Sequence, residues 1–566
     1  MLSLKRTYAL RVIAVAFSAC CAVFAEEPAR SVKPVTNAQL LAGLKDSSAW
    51  LMFGGDYSDQ RHTPLTQITP QNVKDLSTQW MFQTDTPVPG RGFETTPLVI
   101  DGVMYASGTN NSVWALDART GRMIWRYRRT FPPVMRVCCG AVNRGLGVLG
   151  NRLYMGTLDA HLVALDRTTG AVVWDVVVEE PKNGFSLDAA PIIANGKVII
   201  GISGGDYATR GFIDAYDAET GARAWRFYTI PAAGEPGSES WPNADVASWG
   251  GGAAWVTGSY DPALNLVYFG TGNPNPNFWG GDRKGDNLYT CSLVALDATT
   301  GKLKWHFQFT PHDVHDWDST EVPILADVPI DGRVRKVVML ANRNGFFYTI
   351  DRETGKLLLA KPFTSNATNW AREIAPDGRP VVVDDIGTED KCLPDFRGGA
   401  NFQPPSYDPD RHLFYVTARE TCVIYTPKQP EKIVMGGLSP SGSVRHMEGR
   451  EQYGALRAID PRTGAVKWEH RYPGYPSNVT LDLTGGATST ASGVVFSGDN
   501  QGYLNAFDSN NGVLLWRYQT GAPVWGAPPI TYMLDGRQYV VIPSGVTIIA
   551  FALPSTTVPA SVTARQ

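Results

Sequence analysis

Short apolar runs separated by clusters of turn-forming residues extend along most of the chain, and one phrase recurs between them. The phrase is a small residue, any residue, Asp, two residues, Thr-Gly and, a few positions later, Trp, as in Ala115–Asp117, Thr120–Gly121 and Trp125. Short apolar runs of this kind, several of them alternating, indicate β-strands. Because Asp hydrogen-bonds the backbone of a turn and Gly supplies a positive φ, each phrase predicts two strands joined by a tight turn.

The phrase recurs about every 50 residues, apart from two longer intervals, which is typical of one supersecondary unit used many times. Its aspartates, each with the tryptophan that follows, are Asp117 (Trp125), Asp166 (Trp174), Asp217 (Trp225), Asp297 (Trp305), Asp351 (no tryptophan), Asp460 (Trp468) and Asp508 (Trp516).

The two ends of the chain complete the count of repeats. Val546–Phe551 is the apolar run of an eighth repeat without its Trp strand, whereas Leu76–Phe82 is a Trp strand without a repeat. If these two strands share a blade, the sheets close into a ring that leaves only short, protected edges. The sequence therefore predicts an all-β, eight-bladed β-propeller with Trp-docking repeats, in which the N- and C-terminal strands close one blade. An open β-solenoid, the alternative, leaves both ends unexplained.

The N-terminus has the pattern of an export signal. Three basic residues precede an apolar run, 12–25, that is too short to span a bilayer, and small residues precede Glu26. We predict cleavage after Ala25 and a periplasmic mature chain; a lipoprotein signal that ends at Cys20 is the alternative.

The predicted organisation is a signal peptide (1–25), an N-terminal lead segment (26–46), the propeller (47–555) and a disordered tail (556–566). The formal net charge is −3 over 566 residues, with no basic stretch or tail. Neither nucleic acid nor an anionic membrane surface is therefore an expected partner.

Five cysteines lie beyond the signal, and exported proteins fold where disulfides persist. Cys392 and Cys422 both lie in a long interval between repeats, and we expect them to bridge it. Cys291 lies in an apolar strand and is expected to be a buried free thiol.

A bridge between the adjacent Cys138 and Cys139 is strained, because neighbouring Cα atoms lie about 3.8 Å apart, and such strain is typical of functional sites. Two unbridged thiols are the alternative.

The segment from Cys138 to Leu146 resembles the vicinal-disulfide segment of the quinoprotein methanol and ethanol dehydrogenases, eight-bladed propellers that bind pyrroloquinoline quinone (PQQ). The resemblance extends from Trp50 to the strand at 538–542, and its longest segments include 225–231 and 260–273. It implies a disulfide between Cys138 and Cys139 and the oxidation of a small alcohol with PQQ and a hard metal ion.

The resemblance assigns a cofactor site residue by residue. Trp255 matches the indole that stacks beneath the quinone, opposite the disulfide, which would desolvate a flat acid and hold it in place. Arg343 resembles the arginine near the reacting carbonyl. The other positions expected to contact PQQ are Glu94, Cys138, Cys139, Arg144, Ser186, Ser203, Gly204, Gly205 and Asn401.

The family's metal ligands, a Glu, an Asn and a catalytic Asp, correspond here to Asp206, Asn273 and Asp316. Ligands with oxygen donors alone suit hard ions rather than zinc or copper. Asp318, two residues after the catalytic position, adds a fourth oxygen donor and resembles the lanthanide-dependent branch of the family. Because attraction scales with charge, another anionic ligand favours a lanthanide(III) ion, with Ca²⁺ as the second choice.

The resemblance implies that Asp316 is the general base while hydride passes to the quinone, with Arg343 assisting. The sequence has no Cys-x-x-Cys-His haem motif, so an external c-type cytochrome is the expected electron acceptor. A homodimer is left open.

Some positions depart from the family pattern. Asp206 is one methylene shorter than the usual Glu, Ala253 lacks a hydroxyl that often contacts the quinone, and no Trp follows Trp468 in the Pro-rich stretch 472–480. A second class of function therefore stays open, a non-catalytic exported binding or scaffold protein with a decayed cofactor site. The retention of Asp316 with the other ligand positions favours the enzyme.

Overall fold

The computed structural model describes residues 32–85, 92–473 and 484–554. Within them, eight sheets, each with four antiparallel strands and one with an added fifth strand, form the blades of a β-propeller, as the repeat predicts. The predicted signal peptide and C-terminal tail lie outside the described residues.

The first four blades follow one another along the chain, and each begins with its innermost strand. Their strands are Leu98–Ile100, Val103–Gly108, Ser112–Asp117 and Met123–Tyr127 in blade one; Gly147–Leu149, Arg152–Gly156, His161–Asp166 and Val172–Val177 in blade two; Ile192–Ala194, Lys197–Gly201, Phe212–Asp217 and Arg223–Tyr228 in blade three; and Ser259–Asp261, Leu266–Gly270, Ser292–Asp297 and Leu303–Gln308 in blade four.

The next three blades follow the same order, and the last blade takes its outer strand from the N-terminus. Their strands are Ile324–Ile330, Arg333–Ala341, Phe346–Asp351 and Leu357–Pro362 in blade five; Ser406–Asp408, Leu413–Glu420, Tyr453–Ile459 and Val466–Arg471 in blade six; Ala487–Thr490, Val494–Gly498, Tyr503–Asp508 and Leu514–Gln519 in blade seven, where His62–Thr63 adds a fifth, parallel strand; and Ile530–Leu534, Arg537–Ser544, Thr547–Ala552 and Ser77–Gln83 in blade eight.

The predicted ring closure is confirmed. Ser77–Gln83 pairs antiparallel with Thr547–Ala552, and Trp80 lies opposite Ala550. The orphan Trp strand of the N-terminus and the orphan repeat of the C-terminus therefore complete blade eight.

Helices are few and short. The α-helices are Asn37–Ala42, Ala244–Ser248 and Ala367–Trp370, and the 3₁₀ helices are Gly43–Lys45, Val73–Asp75, Thr109–Asn111, Pro181–Asn183, Gly205–Tyr207 and Ser238–Ser240. Two further hairpins lie outside the blades: Ala371–Ile374 with Pro380–Val382, and Val423–Pro427 with Gly442–His446. None of the helices in the described part of the chain has the length and apolarity to cross a bilayer.

Six tryptophans of the Trp strands dock on the next blade rather than on their own turn. Each ring lies against the glycine of the neighbouring turn: an added Cβ at Gly170 would lie 2.6 Å from Trp125. The indole N–H also donates to a carbonyl of that turn. These pairs are Trp80–Ala118 (3.2 Å), Trp125–Arg167 (3.0 Å), Trp174–Ala218 (3.3 Å), Trp225–Ala298 (3.2 Å), Trp305–Arg352 (3.3 Å) and Trp468–Ser509 (3.0 Å).

The motif aspartate organises the turn, as its chemistry predicts. The Oδ1 of Asp217 accepts hydrogen bonds from the backbone N of Thr220 (2.8 Å) and from the Thr220 hydroxyl (2.8 Å), and Gly221 follows with φ 73°. The same arrangement recurs at Asp297 and Thr300. The phrase is therefore both a local turn signal and half of an interblade contact.

The antiparallel direction of adjacent strands determines which loops lie at the same edge of a blade. The loop that enters a first strand and the loop that leaves the second strand lie at the same edge of a blade, because the two strands run in opposite directions. In blade three these loops are 184–191 and 202–211, and in blade five they are 309–323 and 342–345. Most of the predicted site residues lie in such loops.

Candidate cofactor and metal site

A cavity lies where these loops meet. Every residue predicted to bind the cofactor or metal lines it except Glu94. The predicted residues that it brings together are Cys138, Cys139, Arg144, Ser186, Ser203, Gly204, Gly205, Asp206, Trp255, Asn273, Asp316, Asp318, Arg343 and Asn401.

The sulfurs of Cys138 and Cys139 are bonded, and both residues line the cavity. Trp255 supplies an aromatic wall, and its ring contacts Phe402 edge-to-face with centroids 5.8 Å apart. The cavity therefore has the two flat surfaces, one aromatic and one disulfide, that a planar ligand needs. The second disulfide, between Cys392 and Cys422, also forms as expected, and Cys291 is a buried free thiol.

Arg144 lies between two carboxylates. It forms ion pairs of 2.8 Å with Glu94 Oε2 and with Asp188 Oδ2, and its guanidinium lies 4.8 Å from the ring centroid of Trp255. Glu94 is buried behind this arginine, where its Oε1 accepts a hydrogen bond from Trp525 Nε1 (3.0 Å). Glu94 thus supports Arg144 instead of forming the cavity surface.

The loops around Ser186 and Ser203 run side by side. The backbone N of Ser203 donates to Ser186 O (2.8 Å), and the Ser203 hydroxyl donates to Asp188. Gly204 has φ 107°, and an added Cβ would lie 2.0 Å from Gly184 O. Only glycine fits at this position, because the backbones at Gly184 and Gly204 approach each other too closely to admit a side chain.

Three aspartates, the buried Asp318 and the half-buried Asp206 and Asp316, form an acidic cluster beside Asn273. Burial, then the charge of Asp318, raises the pKa of Asp206 to about 6. Burial, then the charges of Asp206 and Asp318, raises the pKa of Asp316 well above its ordinary value. Burial also raises the pKa of Asp318, although the Arg343 charge opposes the shift. Each of these pKa shifts is a free-energy cost of holding several negative charges together away from water.

Arg343 is the cation within this cluster. Its Nη2 lies 2.7 Å from Asp318 Oδ2 and donates to Asn401 Oδ1 (3.3 Å), and its Nη1 donates to the main-chain O of Asp316 (2.8 Å). One guanidinium cannot balance three carboxylates. The donor set, carboxylates with an amide, therefore fits a hard multivalent cation, which would relieve the remaining repulsion.

The loop that carries Asp316 and Asp318 is held by its own side chains. The carboxylate of Asp313 accepts hydrogen bonds from the backbone N of His315 (3.3 Å) and of Trp317 (3.1 Å), and Trp317 Nε1 donates to Asp395 O (2.9 Å). Asp316 has φ 67°, a conformation that non-glycine residues rarely adopt and that is common at functional sites. His315 is fully engaged here, since its Nε2 lies 2.9 Å from Asp385 O.

The side chain of Asp206 contacts two uncharged residues, Asn277 and Cys138. Its Oδ1 accepts from Asn277 Nδ2 (3.2 Å), and its Oδ2 lies 3.5 Å from Cys138 Sγ. The shorter side chain therefore still faces the cavity beside the disulfide. Asp318 is more constrained, because its Oδ1 accepts from the backbone N of Asn273 (2.7 Å) and its Oδ2 from Trp255 Nε1 (3.1 Å).

Several cavity residues were not anticipated from the sequence. They are Val142, Asp188, Phe396, Arg397 and Phe402. Asp188 and Phe402 each lie within two positions of a predicted residue, so a search of the flanking positions could have found them. Phe396 and Arg397 carry no local signal, because they belong to the long interval between the repeats of blades five and six.

A family model matches residues 50–361 and 449–540; it describes the β-propeller domain of PQQ-dependent glucose, ethanol and alcohol dehydrogenases. Two of the similar proteins, both from Pseudomonas putida, illustrate the relationship. The quinohemoprotein alcohol dehydrogenase ADH-IIG is 38% identical over 90% of this chain and 74% of its own. The quinoprotein alcohol dehydrogenase PedH is 38% identical over 90% of this chain and 88% of its own.

Solved structures agree with these sequence relatives. The quinohemoprotein alcohol dehydrogenase ADHIIG from Pseudomonas putida HK5 superposes with a TM-score of 0.83 at 35% identity, covering 93% of this chain and 83% of that one. A europium-containing methanol dehydrogenase superposes with a TM-score of 0.83 at 30% identity, covering 91% of this chain and all of that one. The chain therefore belongs to the PQQ-dependent alcohol dehydrogenase family of eight-bladed propellers.

Proposed function

We propose that this chain oxidises an alcohol to an aldehyde with PQQ and a hard metal ion. The observation that carries the proposal is the cavity that joins the Cys138–Cys139 disulfide, Trp255, and the acidic cluster with Arg343. A scaffold protein would have no use for three clustered carboxylates whose pKa values are raised by burial and, for Asp206 and Asp316, also by the charge of a neighbouring aspartate. The names of the relatives point to the same activity.

The residues fit PQQ, a flat tricarboxylic acid. The disulfide and Trp255 would cover its two faces, and Arg144 would bind a carboxylate at the end of the cavity where Ser186 and Ser203 lie. Arg343 and Asn401, which already contact each other, would hold the opposite edge. When bound, PQQ supplies a two-electron oxidant and the metal ion a Lewis acid.

Asp316 is the proposed general base. Asp316 is half-buried and lines the cavity with Asp206 and Asp318, and a carboxylate with a raised pKa is a stronger base than a solvated one. Asp316 would accept the hydroxyl proton of the alcohol. The hydrogen bond from Arg343 to the Asp316 main chain and the turn built on Asp313 hold this side chain in position.

We propose a lanthanide(III) ion held by Asp206, Asn273, Asp316 and Asp318, with Ca²⁺ as the second choice. Asp318 supports the trivalent ion because it adds a carboxylate to the cluster. The similar europium-containing methanol dehydrogenase shows that this fold accepts such an ion in a relative. In this arrangement Asp318 would share its oxygens between the ion and Arg343.

The remaining proposals concern the setting of the reaction. We propose a periplasmic enzyme that passes electrons to a c-type cytochrome and forms a homodimer. Two disulfides support an oxidising compartment. The names of the quinohemoprotein relatives join a quinone with a haem, which supports haem as the next electron carrier.

Reconstitution tests the proposal directly. Purified protein is titrated with PQQ in the presence of Ca²⁺ or La³⁺, the absorbance of PQQ is followed, and dye-linked oxidation of short alcohols is measured. We expect a spectral change with either ion and turnover that is faster with La³⁺. No spectral change with either ion would refute the cofactor assignment. PQQ binding without any alcohol oxidation would refute only the reaction.

A further inference from the structure

The carboxylate of Asp206 has different neighbours at its two oxygens. Its Oδ1 accepts a hydrogen bond from Asn277 Nδ2 (3.2 Å), whereas its Oδ2 lies 3.5 Å from Cys138 Sγ, in the wall of the cavity. A carboxylate only accepts hydrogen bonds, and a disulfide sulfur has no hydrogen to donate. Asn277 rather than Cys138 is therefore the partner that fixes the rotation of this side chain, and the bond leaves Oδ2 on the side of the disulfide.

Asn277 also supports the charged form of Asp206. Burial, then the charge of Asp318, raises the pKa of Asp206, and the Arg343 charge and the Asn277 amide oppose the shift. A hydrogen bond donated to a carboxylate favours its ionised form, which is the form that binds a cation. Asn277 itself is not among the described residues that line the cavity, so any effect on a ligand there passes through Asp206.

The hydrogen bond joins two neighbouring blades. Asp206 lies in the loop 202–211 of blade three, and Asn277 lies in the loop that follows the second strand of blade four, Leu266–Gly270. The same loop carries Asn273, a proposed metal ligand. One loop of blade four would therefore supply one ligand directly and orient a second ligand that comes from blade three.

Side chains hold both chain neighbours of Asn277. The carbonyl of Pro276 accepts a hydrogen bond from Arg283 Nη2 (3.1 Å), and the backbone N of Phe278 donates to Ser441 Oγ (2.9 Å). Because the backbone is bound immediately before and after this residue, the amide of Asn277 is presented at a fixed place.

Arg283 also ties this loop to the loop of the proposed base. Its side chain is fully buried, and its Nη2 donates to the main-chain O of Asp313 as well as to Pro276 O. Asp313 in turn organises the turn that carries Asp316. The position of Asn277 is thus fixed relative to the proposed base, which is the preorganisation that a precise site requires.

We propose that Asn277 is a positioning residue for the metal ion, which holds the short side chain of Asp206 with one oxygen toward the ion. The inference rests on the proposed metal site and extends its support by one residue. Asp206 is one methylene shorter than the glutamate of the family pattern, so its carboxylate has less reach and depends more on a fixed orientation. Removing a hydrogen-bond partner of a metal ligand typically weakens metal binding by about 10–100-fold.

The first test is calorimetric titration of the PQQ-loaded protein with La³⁺ and with Ca²⁺. Asn277→Leu removes the donor, and we expect it to raise the dissociation constant of each ion by about tenfold or more. Asn277→Ala, which removes the amide without filling its place, should show the same loss. Asn369→Leu is the matched control and should leave both constants unchanged. Asn369 is also half-buried and donates one side-chain bond, to Cys392 O (2.8 Å), and neither residue is among the described ones that line the cavity.

A double-mutant cycle with Asp206→Glu tests whether Asn277 acts through Asp206. The added methylene extends the side chain by about 1.5 Å, so the longer carboxylate should reach the ion without help from the amide. In the Asp206→Glu background, Asn277→Leu is therefore expected to change the dissociation constants by less than about threefold.

The outcomes separate this inference from the proposed function. Ion binding by the unmodified protein that both Asn277 variants leave unchanged overturns the positioning role alone. An equally large loss with and without Asp206→Glu also overturns it, because Asn277 would then act independently of Asp206. An unmodified PQQ-loaded protein that binds neither ion overturns the proposed metal site, and the role of Asn277 with it.

Discussion

Arg343 and Asp318 form an ion pair of 2.7 Å inside the proposed metal site, so the carboxylate that would distinguish a trivalent ion is also the partner of the central arginine. Trp255 Nε1 donates to the same oxygen, Oδ2 (3.1 Å). Asp318 therefore joins Trp255 and Arg343 in one network at the proposed metal site. Its removal should change metal preference and leave the fold intact.

We predict that Asp318→Asn lowers the affinity for La³⁺ more than the affinity for Ca²⁺, by a ratio of about tenfold or more, because the lost charge attracts a trivalent ion more strongly. The amide oxygen can replace only one of the two carboxylate oxygens, so the variant keeps the hydrogen bond from Asn273 N or the one from Trp255 Nε1, and its NH₂ group faces the other donor. Titration of the PQQ-loaded variant with each ion, followed by absorbance, measures the ratio. Asp327→Asn, at an exposed acid paired with Arg352, is the control. An equal loss for both ions would remove Asp318 from the coordination shell.

Asp316→Asn should separate binding from chemistry. The substitution keeps the size of the side chain, and the hydrogen bond from Arg343 to the Asp316 main-chain oxygen does not depend on the carboxylate. We expect kcat to fall by about 10²–10⁴-fold, the usual contribution of a general base, while PQQ remains bound. The absorbance of the loaded variant reports binding, and dye-linked turnover reports chemistry. A variant with ordinary turnover would show that another group accepts the proton.

Much of the architecture could be predicted because the repeat encodes it locally. The Asp and Gly positions specify a turn whatever surrounds them, and a ring of eight follows from counting. The contact between a tryptophan of one blade and a glycine of the next could not be predicted from the repeat in this way. Trp174 and Gly170 belong to one phrase, yet Trp174 packs on Gly221 of the next blade. The repeat places a Trp a few residues after each Gly, and this spacing is the same whether the Trp packs on the Gly of its own repeat or on that of the next repeat.

The site shows a similar limit. Resemblance located residues such as Trp255 and Asp316, but it gave no indication that Glu94 lies behind Arg144, because that placement depends on Trp525 from the other end of the chain. Phe396 is another example, since the interval that carries it lies outside the matched family segments. Its carbonyl accepts a hydrogen bond from Arg343 Nη1 (3.1 Å). Long-range partners of this kind are set by tertiary packing and have no sequence period.

Glu321 predicts a pH dependence of stability. Its Oε1 accepts from the backbone N of Arg343 (2.9 Å), and burial, opposed by the Arg343 charge, raises its pKa to about 8. The native state thus keeps a proton that the unfolded chain releases near its ordinary pKa of 4.5. The native state binds more protons between these values, so this group's contribution to the free energy of unfolding falls as pH rises through that window.

We therefore expect Glu321→Gln, which stays neutral, to gain stability relative to the unmodified protein as pH rises from 5 to 8. Urea denaturation of the metal-free protein at several pH values measures the difference. Glu353→Gln, at an exposed glutamate paired with Lys336, should show no such trend. A constant difference across this range would mean that Glu321 is already ionised in the native state at pH 5.

The interblade contact makes two glycines with similar backbones respond differently to alanine. Gly512 (φ 71°) and Gly536 (φ 75°) both have left-handed conformations, so each alanine substitution should cost about 1–2 kcal/mol in backbone strain. At Gly536 an added Cβ meets nothing within 4 Å, whereas at Gly512 it would lie 2.5 Å from the Trp468 ring. We expect Gly512→Ala to lose a further ~1–3 kcal/mol of unfolding free energy, because the indole must move.

Chemical denaturation of both variants tests this difference, and Trp468→Leu provides the internal control. With the indole removed, Gly512→Ala should cost no more than Gly536→Ala, because only the backbone strain remains. Displacement of the ring would also break the hydrogen bond from Trp468 Nε1 to Ser509 O (3.0 Å), so the two effects should be coupled. Equal losses at Gly512 and Gly536 with Trp468 present would mean that the blades can separate at this contact without cost, and that the repeated tryptophan does not hold the ring closed.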